Sequence, residues 1–176
     1  KVKGENKFLG AGVSYCATCD GAFTKGRVVS LVGKGDEIIE EALFLTRYAK
    51  EVNIFLTSDE LDCNGELKEA ILSKENVKIT KKVKLLEIKG EEFVTGLDLE
   101  IDGNKETVAT DFVFLYLGTK NNIELYGEFV NLSEAGYILT DETMKTRTDK
   151  MYAIGDIREK DVRQIATATN DGVIAT

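Results

Sequence analysis

The pattern of apolar and polar positions predicts an α/β fold that opens with a strand, a turn and a helix. Residues 28–32 form an apolar, β-branched run that ends at two closely spaced glycines, Gly33 and Gly35. Over residues 36–49, apolar side chains recur with the spacing of one helical face. A second apolar run at 52–57 follows. These segments form a βαβ unit, which predicts a parallel sheet.

The middle of the chain continues this sheet and adds a meander. A charged helix is predicted at 65–74, and strands are predicted at 77–80, 83–90 and 93–101. Glycine and asparagine residues mark hairpin turns between the later strands, and we expect this meander to cover one face of the sheet. Residues 112–117 are apolar on both faces, which is typical of a central parallel strand.

After Gly118 the pattern changes and predicts shorter elements. Strands are expected at 137–140 and 151–154, followed by the dipeptide Gly155-Asp156 and a helix that begins at about Val162. The sequence shows no internal repeat and no low-complexity tract.

Composition narrows the classes of partner. The net charge is −8 and the acidic residues are spread along the chain, which argues against binding to nucleic acid or to an anionic membrane. No apolar run approaches the roughly 20 residues that span a bilayer. The sequence therefore predicts a cytoplasmic protein.

The motif Cys-Ala-Thr-Cys-Asp at 16–20 is the strongest chemical signal in the sequence. Two cysteines separated by two residues can form a mixed disulfide and resolve it, and Asp20 can shuttle the proton that exchange requires. The motif could also be half of a zinc site. Cys63 is the third cysteine and the chain contains no histidine, so four zinc ligands are hard to assemble and no metal site is predicted. We interpret Cys63 as a spare thiol.

Five segments, taken in order, resemble the low-molecular-weight thioredoxin reductases, a family of flavoproteins. The residues that carry the resemblance are GVSYCATCDGAF (12–23), ALFLTRYAKEVNIF (42–55), FLYLGTKNN (114–122), GDI (155–157) and RQIATATNDGVIA (163–175). The resemblance covers nearly the whole chain.

The resemblance implies a division of the chain into three parts. Residues 1–11 would be a linker from a flavin domain, residues 12–118 a Rossmann-like pyridine-nucleotide domain carrying the two cysteines, and residues 119–176 the C-terminal part of an FAD-binding domain. The N-terminal half of that flavin domain has no counterpart before Lys1. We therefore expect a fragment that by itself binds flavin weakly or not at all. The family also implies a homodimer.

The resemblance assigns roles to individual residues. Cys19 would face the flavin, Cys16 would attack the disulfide of thioredoxin, and Asp20 would act as acid and base. The residues expected to contact FAD are Asp156 near its ribityl or phosphate region, with Arg163, Gln164 and Ile165 near its isoalloxazine ring. Gly33 and Gly35 would form the nucleotide loop.

The expected nucleotide site departs from the family pattern. Ile38 occupies the third position of the glycine fingerprint, where a small residue lets the helix pack closely on the strand. Asp36 and Glu37 put negative charge at the start of the helix. In place of a basic cluster for the 2′-phosphate of NADPH, the chain has Asp59, Glu60 and Asp62. NADPH is therefore expected to be a poor electron donor, and NADH or ferredoxin are possible donors.

Several alternatives stay open from the sequence alone. The chain could be a noncatalytic scaffold or sensor with a decayed nucleotide site, or a disulfide oxidoreductase whose partner is not thioredoxin. Tyr15 could pack on the flavin, on a partner or in the core. The basic cluster of Lys78, Lys81, Lys82 and Lys84 could dock an acidic ferredoxin, but a solvated strand face is the favoured interpretation.

Overall fold

The computed structural model describes residues 1–118, 123 and 125–176. The chain forms two compact units, Lys1–Gly118 (unit 1) and Thr119–Thr176 (unit 2). The last part of the 114–122 segment, which the resemblance assigns to a crossover between domains, lies outside the described residues. The roles of the units in nucleotide and flavin binding stay predictions.

Unit 1 contains eight strands and three α-helices among its described residues. In chain order they are β1 (Val13–Ser14), α1 (Ala17–Asp20), β2 (Val28–Gly33), α2 (Asp36–Leu45), β3 (Glu51–Leu56), α3 (Gly65–Leu72), β4 (Val77–Thr80), β5 (Val83–Gly90), β6 (Val94–Ile101), β7 (Asn104–Ala109) and β8 (Phe112–Tyr116). A 3₁₀ turn, Gly21–Thr24, follows α1.

The predicted α/β class is confirmed by a parallel sheet with the order β1-β8-β2-β3-β4. The order places β8 in the interior of the sheet, as its apolar faces indicated. At the end of β2, a Cβ atom on Gly33 would lie 2.3 Å from the carbonyl oxygen of Tyr116. This close approach of two neighbouring strands requires a glycine.

The predicted meander is the antiparallel sheet β5-β6-β7. It packs against one face of the parallel sheet, where Val32, Val113 and Leu115 share a core with Leu97 and Leu99 of the meander. Helices α2 and α3 contribute to a second core on the other face. The sequence did not identify β7, because its residues 104–107 are polar and exposed.

Helix α2 is shorter than predicted. The apolar spacing continued to Ala49, but the helix ends at Leu45. After that residue the backbone forms three-residue turns, in which Arg47 N–H donates to the Phe44 carbonyl and Tyr48 N–H to the Leu45 carbonyl. These tighter turns end the α-helix and lead the chain into β3.

Two predicted strands in unit 2 are wrong. Around 137–140 and 151–154 the structure has isolated bridges only, which join Ile138 to Leu132 and Arg158, and Tyr152 to Lys145. The apolar alternation is present, but neither segment has a neighbouring strand to extend the pairing. The predicted C-terminal helix is confirmed as α4 (Ile165–Ala175), which begins three residues later than expected.

Residues 1–11, expected as a linker, pack onto unit 1. Phe8 is buried in the core between the two sheets, and Ile88 N–H donates to the Lys3 carbonyl at 2.9 Å. Their connection to a flavin domain stays a prediction. Across the described parts of both units, every helix is too short or too polar to cross a membrane.

Candidate functional site

Cys16 and Cys19 are joined by a disulfide at the start of α1. The sulfur atoms are 2.04 Å apart and the Cα atoms 5.3 Å apart. Cys16 is the N-cap residue of α1, and the Cys19 N–H donates to the Cys16 Sγ at 3.2 Å. The two sulfurs therefore lie within one helical turn, which is the arrangement that a self-resolving pair needs.

The elements around the disulfide fix it to the sheet while leaving its sulfurs near the surface. Strand β1 pairs with β8, and the Cys16 N–H donates to Ser14 Oγ at 3.1 Å. Ala17 is fully buried in the core beneath α1, whereas Cys19 is exposed and Cys16 is half-buried. The disulfide is therefore anchored to the core through Ala17, and Cys19 is the more exposed of its two cysteines.

Asp20 lines an open cleft of about 510 Å³ in unit 1. The cleft is walled by Phe23 and Phe93, which are 72% and 66% exposed, and by Arg27 and Asp111. Arg27 Nη1 lies 3.7 Å from an oxygen of Asp111. The proton donor predicted beside Cys19 therefore borders a largely apolar surface that a protein substrate could cover.

Two neighbouring ionisable groups that the sequence did not reveal are Glu41 of α2 and Tyr116 of β8. One Glu41 carboxylate oxygen and the Tyr116 hydroxyl are buried and act on each other. Burial, followed by the charge of Glu37, raises the pKa of Glu41, and burial and the charge of Glu41 raise the pKa of Tyr116. The signal was present, since Glu41 stands on the apolar stripe of α2 between Ile38 and Leu45.

The glycine loop forms as predicted, but its surroundings are acidic. Gly35 has φ of 83° and caps α2. Ile38 is fully buried in the core, so the fold accommodates its branched side chain beneath α2. Asp36 Oδ1 accepts a hydrogen bond from Asn64 N–H at 2.9 Å, which ties the loop after β3 to the start of α2.

In unit 2, the turn Gly155–Ile157 is fixed to α4 by a buried carboxylate. Asp171 accepts a hydrogen bond from Gly155 N–H at 2.9 Å and pairs with Arg158 at 3.0 Å and Lys160 at 2.9 Å. Burial by itself would raise the pKa of Asp171, but the hydrogen bonds from Lys160 and Gly155 and the charge of Arg158 outweigh it. The pKa therefore lies below its ordinary value.

The other predicted flavin contacts lie on this turn and at the start of α4. Asp156 is exposed on the turn. The Arg163 guanidinium stacks on the Tyr137 ring at 3.9 Å, and its buried Nε makes no hydrogen bond within the described residues. Gln164 caps α4 in a capping box with Thr167, and Ile165 is 87% exposed. The disulfide lies in unit 1 and these residues lie in unit 2.

Cys63 has the environment of an unreactive thiol. It is half-buried, and burial, followed by the charge of Asp36, raises its pKa. A raised pKa lowers the thiolate fraction, which supports its interpretation as a spare thiol. Among the residues that the structure describes, no cluster of three or more His, Cys, Asp or Glu side chains could hold a metal ion.

Two further residues from the sequence have defined positions. Tyr15 is 46% exposed and its hydroxyl donates to Glu5 Oε1 at 2.8 Å, so the core-packing interpretation is wrong. Lys78, from the basic cluster, forms an ion pair with Glu51 at 2.7 Å. This pairing reduces the positive charge that the cluster could offer an acidic partner.

Nearly the full chain is similar to known proteins of one family. Residues 1–172 match the model of a family described as pyridine nucleotide-disulphide oxidoreductase. The chain is 42% identical to a thioredoxin reductase of Listeria monocytogenes and 41% identical to one of Bacillus subtilis, with 98% and 99% of the chain aligned. It covers 55% and 56% of these relatives, so it spans about half of their length.

Solved structures of thioredoxin reductases are also similar to nearly the full chain. The crystal structure of thioredoxin reductase from Streptococcus pyogenes superposes with a TM-score of 0.90 at 36% identity, covering 99% of this chain and 58% of that one. A ferredoxin-flavin thioredoxin reductase from Clostridium acetobutylicum superposes with a TM-score of 0.56 at 32% identity, covering 99% and 56%.

Proposed function

The chain belongs to the pyridine nucleotide-disulphide oxidoreductase family, and from that premise we propose that it carries the dithiol of a thioredoxin reductase-type flavoprotein. Electrons would pass from FAD through Cys16 and Cys19 to thioredoxin. The observation that carries this proposal is the Cys16–Cys19 disulfide, held at the start of α1 with Cys19 exposed. On family resemblance we extend the proposal to a homodimer in the cytoplasm.

The exchange reaction assigns a separate step to each cysteine. In the reduced pair, the Cys16 thiolate attacks one sulfur of the thioredoxin disulfide, which forms a mixed disulfide and releases a thiolate on thioredoxin. Cys19 then attacks the Cys16 sulfur, restores the Cys16–Cys19 disulfide and releases the second thioredoxin sulfur. Two electrons and two protons reach thioredoxin, and we assign to Asp20 the delivery of protons to the leaving thiolates.

A protein substrate is favoured by the surface beside Asp20. The cleft exposes Phe23 and Phe93 next to a polar edge formed by Arg27 and Asp111. Aromatic side chains on an open surface are typical of protein interfaces. A small-molecule disulfide would not need so wide an apolar border.

The residues of unit 2 fit a cofactor with an anionic part and a large apolar ring. Gly155 has φ of 77° and is buried against α4, and the N-terminal end of α4 carries a partial positive charge. The exposed Ile165 and the unpaired Nε of Arg163 supply apolar and polar contacts. Asp156, Arg163, Gln164 and Ile165 would hold FAD, which when bound supplies the two electrons that reduce the disulfide.

We propose weak or no use of NADPH. No lysine or arginine lies between Lys50 and Lys68, and Asp59, Glu60 and Asp62 follow β3, where a 2′-phosphate would need positive charge. These residues do not fit NADPH, so NADH or ferredoxin are the donors to compare. In the full-length, flavin-loaded enzyme, rapid mixing with NADPH should bleach the flavin slowly, and mixing with NADH or reduced ferredoxin gives the comparison. Fast bleaching by NADPH would overturn this part of the proposal.

Electron transfer to thioredoxin can be tested on the chain itself. The chain is reduced, freed of reductant and mixed with oxidised thioredoxin, and the new thiols on thioredoxin are counted. Wild type and the matched control Cys63→Ser should yield two thiols on each thioredoxin. Cys16→Ser should yield none, and Cys19→Ser should stop at the mixed disulfide and release no fully reduced thioredoxin. Equal transfer by all four proteins would favour a scaffold or sensor role.

The identity of the partner can be tested separately with Cys19→Ser. This variant keeps Cys16 but lacks the resolving thiol, so its mixed disulfide with the partner persists. A trapped complex with thioredoxin supports the proposal. If Cys19→Ser traps another disulfide-containing protein but not thioredoxin, that protein is the partner in place of thioredoxin.

A further inference from the structure

The carboxyl group of Glu41, which has one buried oxygen, lies beside the chain segment between the two cysteines. Glu41 belongs to α2, and the backbone N–H groups of Ala17 and Thr18 act on its carboxylate as hydrogen-bond donors that lower its pKa. These two amides lie between Cys16 and Cys19 in the chain. The Glu41 carboxyl group therefore lies next to the helical turn that the disulfide closes.

The three elements around this carboxyl are packed tightly enough to fix its position. A Cβ atom on Gly21, just after α1, would lie 2.8 Å from the Phe44 ring of α2. Gly33 and Tyr116 make a similarly close approach between β2 and β8. A side chain in such a packed region has little freedom to move its charge away from the cysteines.

The groups that act on Glu41 do not neutralise it. Glu37 and Glu40 of the same helix raise its pKa by repulsion, and the Tyr116 hydroxyl, whose own pKa is raised, stays neutral. The second carboxylate oxygen makes no hydrogen bond among the described residues. A buried acid without a cation is costly, and such groups often serve a site.

We propose that Glu41 is a positioning residue that makes the Cys16/Cys19 dithiol a stronger electron donor. It acts by accepting from the N–H groups of Ala17 and Thr18 and by placing negative charge beside the segment between the two cysteines. This role rests on the proposed function, since a reductase benefits from a dithiol that gives up electrons readily.

The physical argument concerns the thiolate of the reduced pair. Reduction breaks the S–S bond and adds two electrons, and the product at higher pH is one thiol and one thiolate. Helix N–H groups normally stabilise such a thiolate and make the disulfide more oxidising. Glu41 draws on two of these N–H groups, which leaves the Cys19 N–H as the donor to Cys16 Sγ, and it adds like-charge repulsion. The reduced form therefore rises in free energy and donates more strongly.

Glu41→Gln tests this role because the substitution keeps the shape of the side chain and removes the charge. We expect the more acidic thiol of the reduced chain to become about tenfold more ionised at a pH below its pKa. At a pH where the thiolate is present, the equilibrium constant for reduction of the disulfide by glutathione should rise about tenfold. This corresponds to a reduction potential about 30 mV higher for a two-electron couple. Thiolate absorbance against pH and the redox equilibrium measure the two effects.

Glu40→Gln is the matched control, because Glu40 is the exposed neighbour on the same helix. It should change both quantities much less than Glu41→Gln does. Equal thiolate fractions in wild type and Glu41→Gln, or equal shifts in both variants, would overturn the inference.

A measurement on the wild-type chain guards against a variant that fails to fold. Coupling between two ionisable sites is reciprocal, so reduction of the disulfide should raise the pKa of the Glu41 carboxyl. Nuclear magnetic resonance of that carboxyl in both redox states would show it, and an unchanged titration would contradict the inference. These measurements need neither thioredoxin nor flavin, so a loss of transfer to thioredoxin with the Glu41 effect intact would fault the proposed function alone.

Discussion

Unit 1 and unit 2 bury their apolar side chains to different degrees. Unit 1 has a core on each face of its parallel sheet, and the central positions Leu31, Ile54 and Phe114 are fully buried. Unit 2 has a small core of Val130, Ile138 and Ala153. Its α4 exposes several apolar side chains, namely Ile165, Val173 and Ile174.

The two units therefore depend on different interactions. In unit 1 apolar burial between layers holds the strands that support the disulfide. In unit 2 the ion pairs of Asp171 fix the turn and helix expected to contact flavin. A small apolar core stabilises less, because the hydrophobic contribution scales with the area removed from water.

The largest effect is expected from a cavity in the core of unit 1. Phe114→Ala should destabilise this unit by about 4 kcal/mol, since the side chain is fully buried on an interior strand. Denaturant unfolding followed by circular dichroism measures the loss. The control Phe93→Ala removes a side chain that is 66% exposed and should change stability little. Similar losses in both variants would contradict the assignment of the core.

Unit 2 should be destabilised most by loss of the buried Asp171 carboxylate. Asp171→Asn leaves Arg158 and Lys160 without their partner and should cost about 3 kcal/mol in this unit. Faster amide hydrogen exchange in α4 and in the turn Gly155–Ile157 would report it. The exposed Asp161→Asn is the control and should leave exchange unchanged. Protection that survives in Asp171→Asn would mean that apolar packing alone holds unit 2.

A smaller effect is expected at the close approach of β2 and β8. Gly33→Ala would place a methyl group against the Tyr116 carbonyl oxygen, and the strands would have to separate at a cost of about 2 kcal/mol. Gly65→Ala is the control, because nothing lies within 4 Å of its added Cβ. Thermal unfolding of the two variants gives the comparison, and equal transition temperatures would count against the strand contact.

The smallest expected effect is a loss of stability in unit 2 at low pH. Because the pKa of Asp171 is lowered in the folded state, its stabilisation is present above the ordinary value of 3.8 and is lost as the pH falls through the lower folded pKa. Unit 2 should therefore lose protection from hydrogen exchange at low pH. Asp171→Asn should lack this part of the pH dependence, and an identical acid profile in both proteins would exclude Asp171 as the cause.

Much of the fold of unit 1 could be predicted from the sequence. The βαβ segments, the interior strand at 112–117 and the meander follow from apolar spacing, which reports how a segment is buried. Strand β7 could not be found in this way, because it lies exposed with polar side chains and is fixed by pairing with β6. The false strands at 137–140 and 151–154 show the converse, since an apolar alternation forms a strand only where a neighbour pairs with it.

The candidate site likewise has features that could be predicted from the sequence and features that only the structure shows. The sequence by itself determined that Cys16 and Cys19 can exchange a disulfide, because two thiols at this spacing fit within one helical turn. It also determined the acidic surroundings of the glycine loop, which depend on residue identity. Only the tertiary structure decided that Glu41 lies against the backbone of Ala17 and Thr18 and that Asp171 joins α4 to the turn at Gly155. Both contacts bring together residues far apart in the chain, and their burial depends on packing that no local pattern records.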